Sequence, residues 1–375
     1  MFAPTLLSRN AQSKMYQAFR CLQLHRKFSI TSTLDLPVVN TENFRTNLSE
    51  CKKAVECFEK YGVMIVRDPR VNQQNNSDFI DQMESYFTRE SEKFYRGEQL
   101  ADIRPEAGMN IGIVPEGYER ARNHKLTIDQ QFSADRPTTM QPPPLDKKWR
   151  FTYRVGEDKM VGTGILGENV IPEGLPKFAQ VMDNWGNHMR NSVFSVAEML
   201  ARGYELPADY FTRRMEGASQ LLAPTGSDLA RYGEAGTVLA GFHYDLSFIS
   251  IHGKSRFPGL YIWLRDGQKV QVKVPEGCLL LQAAKQMEIL TGGKIFAGFH
   301  EVIVTEETVK ALEKAKKEGK SLWRVSSTMF SSVGYDEMLE PSDIFATPDA
   351  LVKYPAVRAY DQVAAELKAI GLLVE

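Results

Sequence analysis

The sequence predicts an α+β protein with a mainly β core, a double-stranded β-helix (jelly roll), with an N-terminal helical region and flanking helices. Three observations lead there. Residues 219–335 break into short apolar runs at 238–242, 247–252, 259–264, 269–274, 278–283 and 299–304, separated by turn-forming residues. Short strands with turn signals between them are the rhythm of a jelly roll. Upstream, Leu175, Phe178, Met182, Trp185, Met189, Val193, Val196 and Leu200 step by three or four, a continuous helical stripe stopped at Gly203. Inside the β-rich part, Thr305 to Gly319 runs acids first, lysines next and glycine last, which predicts an exposed helix inserted between strands.

Composition sets the outer bounds. The 375 residues are 43% hydrophobic and 25% charged, ordinary for a globular chain with core enough for one large domain or two. A formal net charge of −1, with no basic block beyond the first 34 residues, argues against a nucleic-acid partner. Cysteines 21, 51, 57 and 278 show no C-x-x-C spacing, which argues against a disulfide framework or structural zinc. No apolar run reaches membrane-spanning length. The oligomeric state is not written in the sequence.

In chain order, residues 1–35 read as an organellar targeting segment. Positions 1–34 lack Asp and Glu but carry Arg9, Lys14, Arg20, Arg26 and Lys27. Leu7, Ala11, Met15, Ala18 and Leu22 share one helical face, and Arg26 to Thr31 resembles a mitochondrial processing site. The expected location is therefore the mitochondrion, with the cytoplasm as the alternative. Residues 36–215 form the N-terminal support region: a short strand at Leu36–Val39, a helix from Glu42 to Lys60, a strand at Val63–Val66 and a helix over Ser77–Tyr95. From Gly97 to Pro144 the chain reads as loop-rich, with Tyr118, Arg120, Arg122 and His124 as candidate substrate contacts, each more simply a solvated residue. The G-x-G-x-x-G at Gly162–Gly167 is followed by Asn169 and Pro172, without the βαβ alternation of a dinucleotide site, so nucleotide binding is rejected. Residues 216–335 are the jelly-roll core. Residues 336–375 form a helical tail, with one closing helix expected over Ala350–Leu372 and Val357, Tyr360, Val363, Leu367 and Ile370 on one side.

The chemistry centres on residues 241–252. His243 and Asp245 are two apart in a strand-like run, so their side chains are expected on one face. His300, opening the apolar run 302–304 after a Gly-Gly turn, is the third candidate ligand. Two histidines and one carboxylate leave the other metal positions open, the facial triad of non-heme Fe(II) oxygenases. His300-Glu301 lacks the second histidine that a zinc hydrolase motif H-E-x-x-H needs. His252, at odd separation from His243, is expected to face away and pack, and His188 to be a surface or packing residue. Arg324 and Ser326, two apart, offer a guanidinium fork and a hydroxyl to a carboxylate.

The stretch from Leu239 to Phe330 resembles the core of the isopenicillin N synthase-like, Fe(II)/2-oxoglutarate-dependent dioxygenases. The resemblance rests on an ordered set: His243-x-Asp245, Pro258 to Trp263 with Asp266-Gly267, Pro275-Glu276-Gly277, Met287 to Gly293, His300-Glu301-Val302 and Arg324-x-Ser326. It implies Fe(II) held by His243, Asp245 and His300, 2-oxoglutarate bound through Arg324 and Ser326, O2, and ascorbate as a candidate reductant. No catalytic residue is expected beyond the metal site. The implied reaction oxidises a small organic substrate by hydroxylation, desaturation or cyclisation, releasing succinate and CO2. Two features depart from the family. Arg67-Asp68-Pro69 replaces its Asn-His-Gly, and Leu221-Leu222-Ala223-Pro224 lacks the Tyr that hydrogen-bonds 2-oxoglutarate. The alternatives are an isopenicillin N synthase-type oxidase that does not use 2-oxoglutarate, where Arg-x-Ser serves a substrate carboxylate, and a jelly-roll binding protein without turnover.

Overall fold

The computed structural model of the chain describes residues 35–107, 111–131, 133–157, 167–218 and 220–369. The segment 1–34 with Cys21, the Gly162–Gly167 motif except its last glycine, and Ile370 lie outside the described residues. The chain begins with β1 (Val38–Asn40), α1 (Leu48–Tyr61), β2 (Val63–Arg67) and α2 (Gln73–Tyr95). Next come β3 (Gly112–Val114), β4 (Trp149–Arg154) and α3 (Phe178–Gly203). The core then runs β5 (Gln220–Leu222), β6 (Thr225–Asp228), β7 (Val238–His243), β8 (Ile249–His252), β9 (Leu260–Trp263), β10 (Lys269–Gln271), β11 (Leu279–Ala283) and β12 (Phe299–Ile303). It closes with α4 (Glu306–Lys317), β13 (Trp323–Ser326), β14 (Thr328–Ser331) and α5 (Ala359–Ala369); shorter helices are left unlabelled.

Two sheets result. The larger follows the order β1-β2-β11-β8-β14-β5-β4-β6-β13, with β3 added on β4. The smaller is β10-β9-β12-β7. All six strands expected in the β-rich part are present, within two residues at their starts. They divide between the sheets, since β7, β9, β10 and β12 form one and β8 and β11 belong to the other. This is a double-stranded β-helix.

Local chemistry explains the element ends. Asn47 caps α1 by accepting from the Ser49 amide, and Gly62 ends it in the left-handed region at φ 71°. Thr305 and Thr308 close a reciprocal cap on α4, whose acids sit in the first turn and lysines in the last. The stripe on α3 packs against β5, β8 and β14 of the large sheet. Met182, Trp185, Met189, Val193, Val196 and Leu200 have no exposed surface. Each such side chain contributes roughly 1.5–3 kcal/mol by leaving water. The Trp185 indole donates to the Ser327 hydroxyl, which spares it an unpaired buried N–H. At the departure Arg67-Asp68-Pro69, the Asp68 carboxylate accepts from Arg70 and from Ser192 Oγ of α3, tying the end of β2 to the helix.

The C-terminal tail differs from the single helix expected over Ala350–Leu372. A helix at Pro348–Lys353 ends before Pro355, two strand residues follow at Val357–Arg358, and α5 starts afresh at Ala359. Proline has no amide to donate and bars its predecessor from helical backbone, so Tyr354 adopts φ −123°, ψ 74°. The first helix starts at Leu48 rather than Glu42, because a turn occupies residues 42–46 with Asn43 at φ 56°.

Candidate metal centre and its cavity

The ends of β7 and β12 build the centre. The strands are antiparallel, and His300 is the direct register partner of His243, with ring centroids 4.2 Å apart. Left-handed glycines at 292 and 293 form the turn that leads toward β12. Asp245 lies two residues beyond the last paired residue of β7, outside the ladder. The side-by-side placement expected from strand alternation is therefore reached by the loop that leaves the sheet. Asp245 Oδ1 is 3.6 Å from His243 Nε2 and 3.8 Å from His300 Nε2. These separations are too long for hydrogen bonds. They suit donors converging on one ion, since atoms ~2.1 Å from a common metal sit up to ~4.2 Å apart. His243, Asp245 and His300 are the one such cluster of potential metal-binding side chains among the described residues.

Burial and hydrogen bonding prepare the cluster for a cation. His243 Nδ1 donates to the Gly241 carbonyl at 2.6 Å, which leaves the Nε2 lone pair facing Asp245. Burial, assisted by the neighbouring His300, pushes the His243 pKa down to about 3, so the ring is neutral at neutral pH. Burial alone would raise the Asp245 pKa, but the surrounding imidazoles, which share its protons, and the Ser250 hydroxyl together outweigh it and hold the carboxyl below its usual range. Asp245 Oδ2 is buried and has no hydrogen-bond partner. A buried orphan carboxylate oxygen is costly unless something positive completes it. The residues present therefore fit a divalent ion, and an N2O donor set with open positions suits Fe(II). The Gln282 amide, 3.1 Å from His300 Nδ1 and 2.7 Å from the Gly298 carbonyl, fixes the second imidazole.

The centre opens into a cavity of about 600 Å³ between the sheets. Arg324 and Ser326 both line it from β13, where a two-residue separation puts them on one face. The Arg324 side chain is 6% exposed, and its Nε donates at 3.3 Å to the Pro258 carbonyl. Burial lowers its pKa to about 10, and no carboxylate of the described residues pairs with it. Gly259 follows at φ 130°, where a side chain would collide with the Ile303 carbonyl, so the turn that presents Pro258 needs glycine. Leu221 also lines the cavity and brings no donor.

Of the loop candidates, Arg120, Arg122 and His124 line the cavity, while exposed Tyr118 does not. Arg122 pairs with Glu366 of α5 at 2.6 Å, joining the loop to the tail across the mouth. His124 packs edge-on to Phe299 at 5.0 Å, and burial lowers its pKa to about 4. His188 is a packing residue as expected, 2.8 Å from the Asn75 amide.

His252 corrects the sequence reading. It does not face away but lines the same cavity, its ring centroid 6.4 Å from that of His300. Alternation applies only along one strand, and the chain turns between β7 and β8 into the opposite sheet, so parity is not carried across. Sequence reasoning also missed Glu119, Asp146, Lys148 and Arg150, an ion cluster in the cavity wall with buried acids and partly buried bases. The period-two run Asp146-x-Lys148-x-Arg150 entering β4 was the available signal. Asp146 Oδ1 accepts from the Gly241 amide at 2.9 Å, anchoring the strand that carries His243.

No family model matches the chain, and no curated protein matches it. Solved structures share its fold. A Caulobacter crescentus protein of the 2OG-Fe(II) oxygenase family matches with a TM-score of 0.69 and 20% identity, covering 90% of this chain and 100% of that one. A full-length Neurospora crassa protein, solved in complex with alpha-KG, matches with a TM-score of 0.67 and 15% identity, covering 91% of this chain and 100% of that one. JOX2, solved with 2OG, Fe and JA, matches with a TM-score of 0.61 and 14% identity over 94% of this chain and 93% of that one. The chain thus has the double-stranded β-helix of the 2OG-Fe(II) oxygenases.

Proposed function

We propose that this protein is a non-heme Fe(II)- and 2-oxoglutarate-dependent oxygenase of the isopenicillin N synthase-like type, oxidising carbon of a small organic substrate. The single observation that carries this reading is the pairing, in one cavity, of the His243–Asp245–His300 cluster with the buried, uncompensated guanidinium of Arg324. His243, Asp245 and His300 would hold Fe(II), which supplies O2 activation and the oxidation of substrate carbon coupled to conversion of 2-oxoglutarate to succinate and CO2. Arg324 and Ser326 bind and orient the distal carboxylate of the cosubstrate. The cavity walls, with α5 residues Val363 and Leu367 on one side, exclude water from the centre.

A second reading, an oxidase in which Arg324 serves a substrate carboxylate, is favoured by Leu221, which supplies no donor at the cavity wall. Fe(II)-loaded protein incubated with 2-oxoglutarate, O2 and a panel of small carboxylates and amino-acid derivatives separates the two. Succinate release stimulated by one panel member is expected. Oxygen uptake without succinate supports the oxidase, and neither signal across the panel overturns the enzymatic reading.

A further inference from the structure

We propose that His252 donates a hydrogen bond from Nε2 to the same carboxylate that Arg324 binds, and so completes the recognition of a dicarboxylic cosubstrate. The inference rests on the function proposed above and adds a residue to it. His252 is 8% exposed, lies on β8 in the larger sheet and lines the cavity. Its two nitrogens are unequal. Nδ1 is 2.9 Å from Thr328 Oγ1, the hydroxyl of its direct register partner on β14. Nε2 is buried and has no hydrogen-bond partner. Buried polar nitrogens without partners are rare, and one on a cavity wall marks where a ligand atom belongs.

The surroundings say what kind of atom. Thr328 Oγ1 also lies 3.3 Å from Ser326 Oγ, so Ser326, Thr328 and His252 form a continuous polar strip beside Arg324. When the Thr328 hydroxyl donates to Nδ1, the neutral ring carries its proton on Nε2, which becomes a donor. Arg324 donates as well, and so does Ser326 once a ligand turns its single hydroxyl proton away from Thr328. Three donor groups, none of them hydrogen-bonded or ion-paired to a carboxylate of the described residues, call for a ligand that only accepts, which is a carboxylate. Leu221, on the same cavity, leaves that ligand short of a donor, and His252 supplies it from β8, on the far side of β14.

The test uses His252→Leu and His252→Gln in full-length protein. Fe(II) binding and melting temperature serve as controls for fold. Anaerobic titrations of the Fe(II) protein compare 2-oxoglutarate with 2-oxobutyrate, which keeps the 2-oxo acid end but lacks the distal carboxylate. His252→Leu is expected to weaken 2-oxoglutarate roughly ten- to a hundredfold and leave 2-oxobutyrate within about twofold. His252→Gln retains an amide donor and is expected to recover most of the loss. Equal losses for both ligands, no loss for either, or no recovery by Gln would overturn the role of His252 while leaving the oxygenase reading intact. A wild-type protein that binds 2-oxobutyrate and 2-oxoglutarate equally, or binds neither, would overturn both.

Discussion

Replacing Arg324 by Leu sets stability against function. The guanidinium is 6% exposed and has no counter-charge among the described residues; burial alone draws its pKa from 12.5 to about 10. That drop of 12.5 − 10 = 2.5 corresponds to roughly 3 kcal/mol of destabilisation borne by the folded protein without ligand. Leucine fills similar volume without a charge to desolvate, so the ligand-free variant should melt at or a few degrees above the wild-type temperature. The loss appears on binding. A cosubstrate carboxylate entering the cavity would meet only the neutral donors of Ser326 and His252, and removing one partner of a buried ion pair costs about 3–5 kcal/mol. Affinity for 2-oxoglutarate should fall roughly 150- to 4,000-fold with Fe(II) binding unchanged. Differential scanning calorimetry of the ligand-free protein and anaerobic titration, following the metal-to-ligand absorption band, read the two halves. A variant that is several degrees less stable, or that binds 2-oxoglutarate as wild type does, would refute the assignment of Arg324 as an uncompensated anion receptor.

Three further outcomes follow. His243 and His252 are held neutral by burial at about 3 and about 4, below the ordinary value near 6.5, so the unfolded chain takes up protons first as pH falls. Stability of the metal-free protein should be full above about pH 6.5 and decline progressively toward pH 4; a melting temperature flat from pH 7.5 to 5 would contradict this. Trp185→Ala removes a fully buried indole from the α3 contact with the large sheet and orphans Ser327, which should cost about 3–5 kcal/mol in denaturant unfolding; a change below about 1 kcal/mol would show that α3 does not brace the sheet. Residues 1–34, lysine- and arginine-bearing and free of acids, should carry a fluorescent reporter into mitochondria, and cytosolic staining would sink the targeting proposal.

What the sequence discloses and what it hides have physical reasons. The core strands are legible because their apolar runs are short and bounded by turn residues, and the His243, Asp245 and His300 cluster because it sits in an ordered set of motifs. α3 is legible because one stripe of eight apolar residues has a single periodicity. His252 is misread because strand parity ends where the chain changes sheets, which no local pattern announces. β4, Trp149-Arg150-Phe151-Thr152-Tyr153-Arg154, sits just past Pro142-Pro143-Pro144, and its place between β5 and β6 depends on pairing with residues some seventy positions away. The Glu119–Lys148–Arg150 cluster looks like solvated charge in sequence, because burial of a charge is decided by what folds over it. The tail break at Pro355 is readable from the proline alone, but the apolar spacing around it suggests an unbroken helix.

The claim on which the rest depends is that His243, Asp245 and His300 hold one Fe(II). Asp245 is the anionic donor of the three, and its buried Oδ2 accepts no hydrogen bond among the described residues. The most direct measurement is anaerobic Fe(II) titration of wild type and Asp245→Ala, with thermal unfolding of both to confirm the fold. Wild type is expected to bind one equivalent of Fe(II) tightly and a folded Asp245→Ala none. Equal Fe(II) binding by the two proteins would contradict it.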